Sequence, residues 1–346
     1  MRAALCLSVF TAVGCVPTFD DNLPLIEQPT LLSIASEPAE ATPGKEVQLS
    51  ALVGVPRVDG AAPQVDWGLC VARKPLTELG PVNPVCIQPP VKAPKEIVDL
   101  GSAPTVTATL PLDACRLFGP SLPEPMNGEP AGRPVDPDPT GGFYQPIGAT
   151  LRSSGVTSLG AVRIFCPPSG LDQEQAAEFN SKYRNNQSPR IQTLSARPES
   201  GGSSLIPDEP ESLVVSPKQV LSFEAAWPTC PTSAQCGDGV CSAGEDRSNC
   251  VEDCTTPKGC TGAENYVWFN PETRAVEPRH ESIRVSWFST AGRFANAVTG
   301  REESELETTT ENTWTAPETS GEVRVWAVIR DARGGQSFRS FVVSVR

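Results

Sequence analysis

The chain of 346 residues contains one histidine, His280. A Ser-His-Asp or Cys-His catalytic system would have to be built on that single imidazole, because each needs a histidine base. His280 lies in Arg279-His280-Glu281, and neither H-E-x-x-H nor G-x-S-x-G occurs in the chain. Basic residues are also scarce: 28 Lys and Arg stand against 41 Asp and Glu, a net charge of −13. A phosphate backbone needs a basic face to displace its counterions, so nucleic acid is excluded as a partner. A surface lying flat on anionic lipid is excluded on the same ground. The apolar run at residues 3–13 is too short to span a bilayer. The glycine-rich stretches lack a following Lys and helix, so no phosphate loop is present.

Proline, in contrast, is abundant. With 36 Pro and 28 Gly, the chain must consist of short strands joined by many rigid loops, since proline is kept out of helix interiors and central strands. The length predicts two domains, each long enough to bury a core.

The N-terminus reads as an address. Met1-Arg2 is a minimal positive region, residues 3–13 have the length of a signal-peptide apolar stretch, and Ala12-Val13-Gly14-Cys15 follows. Small residues before a cysteine resemble the lipobox of bacterial lipoproteins, although that family usually has Leu where Ala12 stands. The resemblance implies removal of residues 1–14, acylation of Cys15, and stable membrane anchoring through several acyl chains. Val16 in place of Asp implies, by analogy with Gram-negative sorting, the outer membrane. Residues 15–30 are expected to be a flexible tether.

Twelve cysteines are present. Removing Cys6 with the leader and Cys15 with the lipid leaves ten. Cys70, Cys86, Cys115 and Cys166 lie in the first half, and Cys230, Cys236, Cys241, Cys250, Cys254 and Cys260 cluster in the second. Even counts in an exported chain predict two plus three disulfides, with pairings left open. Zinc fits poorly, because it needs thiolates, usually in C-x2-C pairs, and His280 is outside the cluster.

Residues 31–168 read as one β-rich domain. Val47, Leu49, Ala51 and Val53 alternate with Glu46, Gln48, Ser50 and Leu52, most of a half-buried strand pattern. Residues 65–71, 105–110 and 161–166 are further strands. Residues 119–142 form a Pro-rich loop, and Phe143-Tyr144 after it reads as a strand start turning inward. Residues 169–187 predict a connecting helix capped by Ser169, with Phe179 and Tyr183 on one face. Residues 188–346 read as a second β domain carrying a Cys-rich insert at 229–262. Its strands are 190–195, 220–227, 266–269 and 282–288, followed by a hairpin of 323–330 and 341–345 about the turn Asp331-Ala332-Arg333-Gly334-Gly335.

Ser286-Trp287-Phe288, Thr313-Trp314-Thr315-Ala316-Pro317 and Gly334-Gly335 resemble bacterial immunoglobulin-like or PKD-like surface modules, over roughly the last 65 residues. Residues 114–120 and 140–146 are similar to segments of uncharacterised Gram-negative lipoproteins. Cys236-Gly237-Asp238-Gly239-Val240-Cys241, running on to Gly244-Glu245, resembles the C-G-D-G-x-C knots of secreted bacterial proteins. Asp238, Glu245, Asp246, Asn249 and Asp253 supply oxygen donors of the kind calcium takes, but not at EF-hand spacing. Such acids also simply solvate an exposed knot.

The expected fold is mainly β: two immunoglobulin-like sandwiches, one short connecting helix and a small disulfide-rich insert. The expected function is that of a non-catalytic envelope lipoprotein with a structural, adhesive or protein-interaction role. Its partners would be the membrane, through lipid, and an envelope protein. The alternative is a polysaccharide-binding module using Trp268, Phe143 or Tyr144, and a hydrolase would need two facing carboxylates in a cleft. No cofactor is expected beyond calcium at the knot.

Overall fold

The computed structural model describes residues 24–346 apart from 57–62, 76–77, 90–94, 123–134, 199–203, 207–212, 232, 243–244, 246 and 256–258. Lipidation at Cys15 and the acid at Asp246 therefore lie outside the described residues.

The first sandwich packs the sheet β1 (Thr30–Glu37), β3 (Glu46–Gly54), β6 (Thr105–Thr109) on a second sheet. That second sheet runs β2 (Glu40–Ala41), β8 (Val156–Ile164), β7 (Phe143–Leu151), β4 (Val65–Cys70), β5 (Ile97–Ser102). Among the described strands only β2, beside β8, is parallel to its neighbour. Trp67, Leu49, Ile147 and Val162 fill the space between the sheets, each essentially solvent-free. Phe143 opens β7 and is buried, while the described residues of the Pro-rich stretch before it supply no strand. A short helix, α1 (Ala114–Phe118), follows β6.

The helix after the first sandwich, α2 (Gln173–Lys182), starts later than the sequence suggests. Its N-cap is Asp172, not Ser169: the Asp172 carboxylate accepts from the Gln175 N–H, and the Gln175 side chain accepts in return from the Asp172 N–H. This reciprocal capping box satisfies two donors at once, which Ser169 cannot match from three residues upstream. Tyr183 ends the helix, and its ring stacks on Phe179 at 4.9 Å.

The second sandwich repeats the topology of the first. One sheet is β10 (Ser204–Leu205), β9 (Thr193–Pro198), β12 (Val220–Ala226), β18 (Thr309–Thr315), β16 (Arg293–Phe294). The other is β11 (Leu213–Val215), β20 (Gln336–Val345), β19 (Gly321–Asp331), β15 (Ile283–Ser289), β17 (Val298–Arg301), with β11 again parallel to the strand beside it. Phe223 is the hub of this core, with Trp287, Phe294, Trp314 and Phe341 at 5.4–6.1 Å. Stacked and tilted ring pairs of this kind add about 0.5–1.5 kcal/mol beyond burial. The fold is thus mainly β, two immunoglobulin-like sandwiches with a disulfide-rich insertion.

The insertion between β12 and β15 is longer than the Cys-rich stretch. It holds the knot, with the one-turn helix α3 (Val251–Cys254), and then a hairpin, β13 (Asn265–Asn270) and β14 (Ala275–His280). Residues 266–269, expected in the sandwich, form this separate two-stranded sheet and pack Val267 and Phe269 against Phe179 of α2. Their alternation fits either location, so local pattern does not choose between them. His280, half-buried, ends β14.

Residues 24–29, expected in the tether, do not hang free. The Ile26 N–H donates to the Ser289 carbonyl at 2.8 Å, and the Ser289 N–H donates to the Pro24 carbonyl at 2.9 Å. Ile26 then joins Leu32, Leu52, Trp326 and Val328 in an apolar cluster between the two sandwiches. The apolar Leu25-Ile26 pair explains the docking, since burying such side chains is worth more than leaving them in water.

Candidate functional site

The most densely built polar region lies where the sandwiches, α2 and the stem of the insertion meet. Its centre is Arg333, in the turn between β19 and β20. The turn is set by its own residues: Gly334 has φ +95°, and a Cβ on Gly335 would fall 2.2 Å from the Asp331 carboxylate. The backbone N–H groups of Arg333 and Gly335 both donate to Asp331 Oδ1 at 2.8 Å.

Arg333 is 1% exposed and reaches into the stem of the insertion. Its Nε donates to Glu281 at 2.6 Å, and one terminal nitrogen donates to Glu264 at 2.7 Å. The other donates to the Arg184 carbonyl at 3.1 Å, and the Tyr266 ring lies 4.7 Å from the guanidinium. The two glutamates are themselves tied to backbone: Glu281 accepts from the Glu264 N–H at 2.8 Å, and Glu264 accepts from the Cys260 N–H at 2.8 Å.

From the first sandwich, Glu40 on β2 and Arg163 on β8 form a buried ion pair at 3.4 Å. Glu40 also accepts from the Tyr183 hydroxyl and from the Asn186 N–H. Asn186, fully buried, offers its amide to both oxygens of Asp331 at 3.2 and 3.3 Å. Arg163 donates to Thr140 at 2.7 Å, and Tyr144 donates to Asp138 at 2.8 Å with its oxygen 3.3 Å from the Arg333 carbonyl. One connected network therefore spans both sandwiches and the linker.

Burial sets the protonation behaviour here. It pushes Glu264 up to about 8, against the pull of Arg333, and raises Asp331 well above the ordinary carboxylate range, with the Glu281 charge adding to the rise. The Tyr183 hydroxyl is raised by burial and by Glu40. Arg333 is held charged by Glu281 and Glu264 against burial. Chemically the junction binds its own parts together. Glu40, Glu281, Asn186 and Arg333 are at most 1% exposed, so none of them is open to a substrate.

Beside the junction lies a cleft of about 630 Å³, walled by Asp138, Phe143, Phe179, Trp268, Asn270 and Glu272 among others. Of the three aromatics considered for sugar contact, Trp268 lines the cleft half-buried, with Arg279 over its ring at 5.3 Å. Phe143 is 4% exposed and belongs to the first core, and the Tyr144 hydroxyl is committed to Asp138. The three do not form an exposed row.

Among the described residues there are five disulfides: Cys70–Cys86, Cys115–Cys166, Cys230–Cys260, Cys236–Cys250 and Cys241–Cys254. The first two staple the first sandwich, the third closes the base of the insertion, and the last two make the knot. Of the knot's acids, Asp253 is buried and accepts from the Gly237 and Gly239 N–H groups at 2.6 and 3.1 Å. Asp238 accepts from the Val240 N–H, and Glu245 from the Ser242 N–H, both at 2.8 Å. Asp253 clusters with Cys236 and Cys250, whose sulfurs are joined to each other. Each of these carboxylates accepts from backbone N–H groups, and Asn249 lies in the turn before Cys250.

No family model matches the chain. No curated relative matches it either. Among solved structures, fibronectin(III)-like modules of Clostridium thermocellum CbhA align over 92% of this chain and 94% of theirs, at 11% identity and TM-score 0.18. The Yersinia pseudotuberculosis adhesin InvE aligns over 91% of this chain and 60% of its own, at 8% identity and TM-score 0.21. The C-terminal domain of the Streptococcus agalactiae AgI/II polypeptide BspA aligns over 92% and 99%, at 7% identity and TM-score 0.22. At these scores the likeness carries no functional argument, and the fold assignment rests on the strand order and register above.

The sequence pointed to the knot and missed the junction. Its signal was nevertheless present in Asp331-Ala332-Arg333-Gly334-Gly335, where a charged arginine sits inside a turn already tied by Asp331.

Proposed function

We propose that the chain is a non-catalytic envelope lipoprotein, anchored through Cys15, whose paired sandwiches act as a spacer that holds the disulfide knot away from the membrane for contact with another envelope component. The observation that carries this reading is the junction: the sandwiches share a buried ion network and an apolar cluster, and the insertion is tied to both through Arg333 and α2. Independent beads on a string would not need such a contact. The five disulfides support export to an oxidising compartment. A glycan at Trp268 is the second reading, favoured by the neighbouring cleft.

The test is expression of the tagged full chain and of Cys15→Ala in a Gram-negative host with labelled palmitate, followed by fractionation and pull-down from membranes. The native chain is expected to take up label, sediment with membranes and retain an envelope protein or polysaccharide, while Cys15→Ala stays unlabelled and soluble. Both chains soluble and unlabelled would overturn the anchor.

A further inference from the structure

The junction carries more negative than positive groups. Arg163 and Arg333 bring two charges, and Glu40, Glu264, Glu281 and Asp331 bring four, so full ionisation leaves 2 − 4 = −2. All six side chains are at least nine-tenths buried. The surrounding groups do not cancel this surplus. Arg184 turns its guanidinium to the Ser181 and Tyr183 carbonyls, and Arg279 is paired with Glu303 at 2.5 Å. Asp138, half-exposed at the rim, adds a further negative charge, and Tyr144, Tyr183 and Tyr266 add hydroxyls alone.

The pairing shows where the surplus sits. Arg163 faces Glu40, and Arg333 is shared by Glu281 and Glu264. Asp331 has no guanidinium donor: its Oδ1 takes two backbone N–H groups, and its Oδ2 meets the Asn186 amide alone. Asn186 Oδ1 is buried and has no partner. A proton on Asp331 removes the charge that no guanidinium offsets.

We propose that the junction is a proton-binding latch: Asp331 holds one proton and Glu264 another, and losing them parts the two sandwiches. Two unpaired negative charges cannot stay in a dry interface, and admitting water between the turn at residues 331–335 and the linker at 184–187 is the local relief. The sign follows from the direction of the shifts. Raised carboxylates bind protons more tightly folded than unfolded, so stability falls as pH climbs above the ordinary carboxylate range, for Glu264 from 4.5 to about 8.

Proton release on unfolding, measured at pH 7.5 by calorimetry of the full chain in buffers of different ionisation enthalpy, tests this. The native chain is expected to release about two protons, and Asp331→Asn and Glu264→Gln about one each. Both variants copy the neutral form. If neither variant folds, the native count alone decides. A native chain that releases none would overturn the proposal. So would an Asp331→Asn protein that still releases two, or a stability that follows added sodium or calcium and not pH.

Discussion

Arg333→Met is expected to lower the unfolding free energy by about 3–5 kcal/mol, the cost of stranding buried charges when one partner is removed. Methionine matches the length of the arginine stem, so packing changes little and the effect reports the guanidinium. Glu264 and Glu281 each lose a donor at 2.7 and 2.6 Å, and the Arg184 carbonyl loses another. Adding Glu264→Gln and Glu281→Gln to Arg333→Met removes the stranded Glu281 charge and the proton-bearing Glu264 carboxyl beside it, and the triple variant is expected to recover part of the loss. Urea unfolding at pH 7 checks this, with fluorescence read over the course of denaturation. A triple variant weaker than Arg333→Met would show that the glutamates act through something other than charge.

Replacing Cys115 and Cys166 together by Ala is expected to destabilise the first sandwich by about 4 kcal/mol, because the bond closes a loop whose ends are 51 residues apart. It joins α1 to Cys166, two residues past β8, and the loop it closes carries β7 and β8. The same change at Cys70 and Cys86, separated by 16, is expected to cost about 3 kcal/mol. Thermal unfolding of the two double variants side by side gives the order, and a larger loss at Cys70 and Cys86 would contradict it.

Much of the fold was legible because its strands alternate. Val323, Val325, Ala327 and Ile329 face the second core, and Phe341, Val343 and Val345 return on the same side. The residues that broke the alternation marked the contact between sandwiches. Leu52, Trp326 and Val328 stand where a polar, solvent-facing side chain was expected, and all three are buried against Ile26 and Leu32. A one-sided strand has no reason to carry a tryptophan outward unless something covers it. What local pattern does not convey is pairing over long distances. Glu40 meets Asn186 across 146 residues, and Arg333 meets Glu264 across 69. In sequence Glu40, Glu264 and Arg333 read as ordinary surface charges among 41 acids and 28 bases, and Asn186 as an ordinary loop residue. The Pro-rich loop hid the role of Asp138 and Thr140 in the same way, since turn residues look alike whether they face water or a buried arginine.

The account rests on an oxidised, exported chain, and the most direct measurement is peptide mapping of the non-reduced protein taken from the envelope of its host. It predicts Cys70–Cys86, Cys115–Cys166, Cys230–Cys260, Cys236–Cys250 and Cys241–Cys254 with no titratable thiol among these ten. Recovery of the same ten cysteines as free thiols, on a chain that still carries residues 1–14, would contradict it.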